Sequence, residues 1–125
     1  MTVAQEVRLF SYDDGGRDKF SDWLSSLKGT YAEKFIANRI REIASGYYGD
    51  VKHTRHLKRP EYPLMMEFRV RVRGGYRMYG VECDGGIVFF KGGTKHRQNN
   101  DLLDASLQYR RYVARKGRLR RIRLD

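Results

Sequence analysis

A chain of 125 residues and 14.7 kDa can bury one hydrophobic core but not two. Its 26 lysines and arginines outnumber 15 acidic residues, and the net charge of +11 favours nucleic acid as a partner over an acidic protein or an anionic membrane. No apolar run approaches the roughly 20 residues of a membrane span. Residues 1–10 lack the apolar block of a secretory signal, so we expect a cytoplasmic protein. The single cysteine cannot form an internal disulfide or a thiolate metal cage.

The N-terminal half predicts a strand followed by two helices. Residues 7–10 have the pattern of a short strand. The apolar residues of segment 20–27 are spaced as on one face of a helix, which ends at Lys28 and Gly29. Thr30 and Glu33 form a capping-box pattern, and an apolar stripe continues from there to Gly46. Because the link is short, we expect the two helices to pack as an antiparallel hairpin.

The middle of the chain predicts a basic loop and three strands. The loop covers residues 47–63, and the strands cover residues 65–72, 76–83 and 87–91. Two glycine-rich turns join the strands in a hairpin-linked meander. Residues 87–90 are apolar throughout, which is typical of a central strand buried on both faces. The following Gly92 and Gly93 lack the spacing of a P-loop, so we expect them to supply backbone freedom.

The C-terminal part predicts one helix and a basic tail. Residues 99–101 can cap the helix, whose buried stripe would be Leu102, Ser106, Tyr109 and Val113. We expect residues 1–113 to form the domain and residues 114–125 to form a tail that is a frayed helix end or a disordered arm.

A row of arginines within residues 66–79 is the strongest functional signal. Strand alternation places Arg69, Arg71 and Arg73 on one face and apolar residues on the other. Parallel guanidinium groups repel one another unless an anion lies among them, and a polyphosphate such as RNA is the obvious candidate. The turn at residues 74–75 then brings Arg77 next to the row. The alternative is an ordinary solvated face.

The order of these elements, together with five short stretches, resembles the RelE/ParE toxin superfamily, and its HigB-like "addiction module killer" branch most of all. The stretches are FSDWL at residues 20–24, GDVK at 49–52, EFR at 67–69, GYRMY at 75–79 and GGTK at 92–95. The resemblance implies an α+β, RelE-like fold with an N-terminal strand, a helical hairpin, an antiparallel strand meander forming a twisted sheet, and a C-terminal helix. It also implies the toxin half of a bacterial type II toxin–antitoxin system.

The resemblance assigns roles to particular residues. Arg69 and Arg71 match the basic pair on the family's second strand, Arg77 matches the arginine of its Gly-Tyr-Arg motif, and Lys95 and His96 match the basic pair after the last strand. One position departs from the pattern: Leu102 lies where RelE-like enzymes carry a base-stacking tyrosine. Tyr79 and Tyr109 are the candidate substitutes.

RelE- and HigB-type members cleave mRNA in the ribosomal A site without a metal or another cofactor. Such cleavage needs a base, an acid and stabilisation of the phosphate charge. We assign the charge stabilisation to Arg71 and Arg77, with Arg69 orienting the strand or supporting the same charge. Neighbouring cations should lower the pKa of Lys95 so that it can act as the base, with His96 as the acid, and these two roles could be exchanged.

Further basic residues are candidates for RNA binding outside the catalytic set. His53 and His56 are spaced i, i+3, but further ligands are lacking nearby in the sequence, so we predict no metal site. The predicted RNA-binding residues are Lys52, His53, Arg55, His56, Arg73 and Arg97.

Three functional hypotheses remain. The first is a ribosome-dependent endoribonuclease, the second a ParE-type inhibitor of DNA gyrase, and the third a non-catalytic nucleic-acid-binding protein. Under the first, the partners are mRNA and the ribosome. Under the first two, we also expect a cognate helix-turn-helix antitoxin, through which the protein could be linked to operator DNA. The basic tail would contact ribosomal RNA or the antitoxin.

Overall fold

A six-stranded sheet forms the centre of the domain, as described by a computed structural model for residues 6–123. The strand order is β2-β3-β4-β5-β1-β6, with β5 parallel to β1 and all other neighbours antiparallel. Three helices complete an α+β fold. The elements are β1 (Arg8–Asp13), α1 (Lys19–Ser26), α2 (Glu33–Ala44), β2 (Thr54–His56), β3 (Met66–Val70), β4 (Tyr76–Cys83), β5 (Gly86–Thr94), α3 (Gln98–Val113) and β6 (Arg118–Arg121).

The helices cover both faces of the sheet. Helices α1 and α2 pack on one face, where Phe20 stacks on Phe89 with ring centroids 4.8 Å apart. Helix α3 packs on the other face, where Phe90 contacts the rings of Tyr109 and Tyr112. Strand β5 is therefore buried on both sides, as its continuous apolar run predicted.

Gly92 and Gly93 are required by packing rather than by backbone freedom. Neither residue has a positive φ. A side chain at Gly92 would collide with the ring of Trp23 on one face, and a side chain at Gly93 would collide with the carboxylate of Asp101 on the other. The pair allows helices on both faces to approach the end of β5 closely.

The helix boundaries and the buried face of α3 differ in part from the prediction. Helix α2 begins at Glu33 without a side-chain cap, and the Thr30 hydroxyl instead donates to the carbonyl of Leu27 (2.7 Å). The buried stripe of α3 includes Ser106, but Val113 is 58% exposed. The stripe centres on Asp101, Ala105 and Gln108.

Two edge strands lie where the sequence predicted loop and tail. Strand β2 lies within the predicted basic loop and pairs with β3. Strand β6 lies within residues 114–125 and pairs with β1, in place of the predicted frayed helix end or disordered arm. The Arg118 guanidinium contacts the Asp13 carboxylate (3.4 Å), and the Tyr12 hydroxyl donates to the Lys116 carbonyl (2.6 Å). These contacts attach the basic segment to the sheet.

Candidate nucleic-acid interface

A concave surface at one end of the sheet collects basic side chains from β3, β4 and the loops beside them. Its cavity volume is about 450 Å³. We call this surface the arginine cleft, and its basic lining residues are Lys52, Arg69, Arg71, Arg73 and Arg77.

The β3–β4 hairpin places these arginines in two groups. Arg69 and Arg77 lie opposite each other in the strand register, on the face that carries α3. Strand β3 ends at Val70, so Arg71 and Arg73 lie in the connecting loop and are exposed. The prediction that all three odd-numbered arginines share one strand face is therefore wrong, because the regular alternation stops one residue before Arg71. The loop nevertheless brings its arginines to the same cavity.

Glu67 lies beneath the arginine pair and was not predicted as part of the site. Its side chain is 0% exposed; one carboxylate oxygen lies 2.8 Å from Nε of Arg69 and 3.7 Å from Nε of Arg77. The other oxygen accepts a hydrogen bond from Gln98 (2.9 Å). The hydrogen bond fixes the orientation of the Arg69 guanidinium, and the carboxylate neutralises part of the charge of both arginines. Strand alternation alone would have placed Glu67 on the face of Arg69.

Lys95, His96 and Arg97 form an exposed 3₁₀ turn that joins β5 to α3. None of them lines the arginine cleft. The turn lies against the β3–β4 loop, because the Lys95 amide donates to the Gly75 carbonyl (2.6 Å) and a Cβ at Gly75 would lie 3.3 Å from the Lys95 Cβ. The structure thus collects Arg69, Arg71 and Arg77 in one cavity and leaves Lys95 and His96 at its border.

The predicted RNA-binding residues near β2 are divided between different surfaces. Lys52 lines the arginine cleft, whereas the His53 ring contacts Asp50 (2.8 Å), and this hydrogen bond lowers the pKa of the Asp50 carboxyl. Arg55 and His56 are adjacent strand residues and therefore point to opposite faces of the sheet. The six predicted RNA-binding residues do not form one surface.

Arg39 is a buried arginine of α2 that holds the edge of the cleft together. Its guanidinium donates to the carbonyls of Tyr48 (2.7 Å), His53 (3.2 Å) and Arg69 (3.1 Å) and to the Thr54 hydroxyl (2.9 Å). Burial lowers the pKa of this arginine from its usual value. The side chain thereby connects the loop before β2 to β3. In the sequence, the position of an arginine within an apolar helix stripe was the signal that could have identified it.

Two buried polar atoms lie under the start of α3. The Tyr79 hydroxyl and one carboxylate oxygen of Asp101 have no hydrogen-bond partner among residues 6–123. Burial raises the pKa of the Tyr79 hydroxyl and also raises the pKa of the Asp101 carboxyl. The Tyr79 ring is 0% exposed, so it cannot stack on a base as the sequence suggested. Tyr109 is half-buried against Phe90.

Within residues 6–123, no three side chains of His, Cys, Asp or Glu converge as metal ligands. In the same range, no helix is both long enough and apolar enough to cross a bilayer.

Comparison with known proteins identifies a relative of this chain. No family sequence profile matches the chain, and no solved structure matches it. An uncharacterized protein of Haemophilus influenzae is 33% identical over 89 residues, which cover 70% of this chain and 83% of the relative. The chain belongs to the same protein family as this H. influenzae protein.

Proposed function

We propose that the protein is a metal-independent endoribonuclease that cleaves mRNA on the ribosome and acts as the toxin of a type II toxin–antitoxin system. The observation that carries the proposal is the arginine cleft, where five basic side chains from two strands and two loops converge. A cavity of this charge is suited to a phosphodiester, because guanidinium groups match phosphate oxygens in geometry and charge.

The cleft supplies the electrostatic part of the reaction. A 2′-hydroxyl attacks the adjacent phosphorus, negative charge grows on the phosphate oxygens, and the 5′-oxygen leaves with a proton. Arg71 and Arg77 would contact the growing charge, and Arg69 would orient the backbone. Glu67 holds Arg69 in place by a hydrogen bond and attracts Arg77 before the substrate arrives, so little reorganisation is needed at the moment of reaction.

Lys95 and His96 would supply proton transfer from the 3₁₀ turn beside the cleft. The hydrogen bond between Lys95 and Gly75 keeps this turn next to the loop that carries Arg71 and Arg73. Both side chains are exposed and can swing toward a bound strand. Lys95 would accept the 2′-hydroxyl proton and His96 would protonate the leaving oxygen, or the two roles would be reversed.

The arrangement of elements supports the same proposal. An N-terminal strand, two helices, an antiparallel meander and a later helix follow one another as expected of a RelE-like fold. The net charge of +11 suits both the ribosome and an acidic antitoxin surface. Strand β6 is an addition to the expected architecture.

The proposal is tested by brief induction in a bacterial host, followed by growth measurement and mapping of transcript ends. We expect wild type to arrest growth and to produce new mRNA ends, and Arg71→Ala and Arg77→Ala to abolish both. Lys34→Ala, which removes an exposed cation from α2, is the control and should remain toxic. Intact transcripts with DNA damage signalling would instead indicate a ParE-type gyrase inhibitor, and full toxicity of folded Arg77→Ala would exclude the nuclease.

A non-catalytic nucleic-acid-binding protein is the second candidate. It is favoured by the contact of Glu67 with two of the cleft arginines and by the exposure of Lys95 and His96 outside the cavity lining. Under this proposal RNA binding weakens steeply with salt. No cleavage would occur, even on translating ribosomes.

A further inference from the structure

A second cavity, of about 750 Å³, lies between the loop after β2 and helix α3. It is larger than the arginine cleft and falls within the size range of small-ligand sites. We call it the loop–helix cavity. Its lining residues from β2 and the loop after it are Arg55, Leu57, Lys58, Arg59, Glu61 and Tyr62, and those from α3 include Gln98, Asn99, Leu102 and Arg110.

Backbone hydrogen bonds and core packing hold the loop that lines this cavity in one conformation. The Leu57 amide donates to the Met65 carbonyl (3.0 Å), and the Tyr62 amide donates to the Arg59 carbonyl (3.0 Å). Leu57 and Tyr62 also pack against the core cluster beneath α3. Lys58 adopts a left-handed conformation, with φ of 53°, which a lysine maintains only where its surroundings hold it. The cavity therefore exists without a ligand-induced folding step.

The lining combines three chemical features that suit one nucleotide. Tyr62 and Leu102 offer flat or apolar surface for a base. The side-chain amides of Gln98 and Asn99 can donate to and accept from a base edge. Arg59 and the other basic lining residues, Arg55, Lys58 and Arg110, lie where they can contact phosphates, with Glu61 as the acidic residue among the lining positions.

One buried carboxylate connects this cavity to the arginine cleft. Gln98 lines the loop–helix cavity and donates to Glu67, and Glu67 contacts Arg69 of the cleft. Arg55 lies directly opposite Glu67 in the β2–β3 register, on the same sheet face. Arg77 on β4 lies two strand spacings across the sheet from Arg55 and two residues along the strand, a separation of roughly 12 Å. Arg55 of the loop–helix cavity and Arg69 of the cleft thus both lie next to Glu67 on this face.

We propose that the loop–helix cavity binds an unpaired base of single-stranded RNA, together with its phosphate, next to the phosphodiester held in the arginine cleft. The ligand class rests on the proposed function, whereas the location rests on the cavity and its link through Glu67. A base within a duplex cannot enter such a cavity, because its edges are paired and its faces are stacked. The site therefore selects single strands and reads one base.

The location is tested by crosslinking a short single-stranded RNA whose 2′-oxygens are methylated, because methylation removes the nucleophile and prevents cleavage. One photoreactive 4-thiouridine is moved along a hexanucleotide, and crosslinked peptides are identified by mass spectrometry. We expect crosslinks at residues 57–62 or 98–110 from one position and at residues 69–77 from a neighbouring position.

Variants test the chemistry of the same site. Arg59→Ala combined with Arg110→Ala should lower the slope of log affinity against log salt by roughly 1.4, the value for two lost phosphate contacts on single-stranded RNA. Asn99→Ala should reduce discrimination among homopolymeric hexanucleotides by about tenfold, the order of one lost bidentate base contact. Lys34→Ala on α2 is the control and should change neither quantity.

The outcomes separate this proposal from the proposed function. RNA binding with crosslinks confined to residues 69–77, and with unchanged salt slope in the double variant, overturns the base site and leaves the nuclease intact. Crosslinks in the loop–helix cavity without any cleavage on ribosomes support the base site and overturn the nuclease. Failure of wild type to bind the free RNA overturns the base site, and mapping of transcript ends after induction then decides the nuclease separately.

Discussion

At the scale of single residues, the arginine cleft depends on one carboxylate that is fully buried between partly exposed cations. Arg69 is 28% exposed and Arg77 is 12% exposed, while Glu67 is 0% exposed. The arginines can therefore reach a phosphate in solution while Glu67 cannot. In the absence of RNA, Glu67 partly neutralises the charge of these arginines. The carboxylate therefore lowers their affinity for phosphate while it holds Arg69 in a fixed geometry.

Glu67→Gln should lower the stability of the fold and raise the affinity for RNA. The amide keeps one acceptor for Arg69, but its NH₂ group faces donors from Gln98 or the arginines. We expect the free energy of unfolding to fall by about 2 kcal/mol, which urea denaturation measures. We expect RNA affinity at low salt to rise by about fivefold, or roughly 1 kcal/mol, because the cleft gains one positive charge.

The control for this variant is Glu42→Gln, which removes an exposed carboxylate from α2 and should change both quantities little. Weaker RNA binding by folded Glu67→Gln would mean that the carboxylate itself contacts the RNA or that its charge does not oppose binding.

The stability of the folded protein should depend on pH through the carboxyl group of Asp101. Burial raises the pKa of its carboxyl in the folded protein, so the folded state binds this proton more tightly than the unfolded state. The contribution of this group to stability is therefore fully present below the unfolded pKa of about 3.8 and is lost as pH rises through the raised pKa. Asp101→Asn should be more stable than wild type near pH 7, and the difference should shrink toward pH 4.

Urea denaturation of both proteins from pH 4 to pH 7 measures this difference. Other carboxylates titrate alike in the two proteins, so subtraction isolates Asp101. A constant difference across this range would show that Asp101 titrates with its ordinary pKa.

At the scale of elements, the β3–β4 hairpin and the loop before β2 build the cleft, and Arg39 joins them. Because the Arg39 guanidinium serves three carbonyls and a hydroxyl, a lysine cannot satisfy the same set. We expect Arg39→Lys to lower the free energy of unfolding by about 2–3 kcal/mol, from buried acceptors left unpaired.

Hydrogen exchange measures the local effect of this change. The Arg69 amide, which donates to the His53 carbonyl (2.7 Å), should exchange faster in Arg39→Lys. Arg41→Lys, at an exposed position two residues along α2, should leave both stability and exchange unchanged. Unaltered exchange at Arg69 in the Arg39 variant would contradict the role of Arg39 as the link between these elements.

Strand β6 offers a second test at this scale. Gly117 has a φ of +70°, and a side chain there would collide with the Asp13 carbonyl. We expect Gly117→Ala to detach β6 and to make residues 114–121 sensitive to trypsin. Gly85→Ala is the matched control, because Gly85 has a φ of +73° and a Cβ added there would meet nothing within 4 Å. Resistance of Gly117→Ala to trypsin at residues 114–121 would contradict the collision, and equal cleavage of the two variants would indicate a general loss of stability rather than local detachment of β6.

The elements that the sequence predicted best are those with strong apolar patterns. Strand β5 and helices α1 and α2 carry continuous or periodic apolar residues that dictate burial. Strands β2 and β6 are short, charged edge strands whose pairing is decided by contacts distant in sequence, such as those of Arg39 and Asp13. Local pattern alone could not place them.

The same reasoning explains which parts of the site were predicted. Arg69, Arg71 and Arg77 form a dense basic cluster within nine residues, and the structure collects them in one cavity. Glu67 and Arg39 were missed because each acts through contacts with other elements rather than through a motif. The expected stacking by Tyr79 failed because strand alternation places its ring under α3.

At the scale of the whole molecule, charge and shape are combined on one side of the sheet. The net charge of +11 attracts polyanions over a long range, whereas the cleft and the loop–helix cavity determine where a strand lies. Binding that came from net charge alone would depend on no particular arginine. The functional proposal requires instead that cleft residues contribute far more than equally charged residues on α2.

The end chemistry of RNA cut by purified protein on translating ribosomes, in the presence of a chelator, tests this account most directly. Attack by the 2′-hydroxyl predicts fragments with 2′,3′-cyclic or 3′-phosphate ends and 5′-hydroxyl ends from wild type and Lys34→Ala, and at least 100-fold less product from Arg71→Ala and Arg77→Ala. Equal yields of these fragments from all four proteins, or no fragments from wild type, would contradict it.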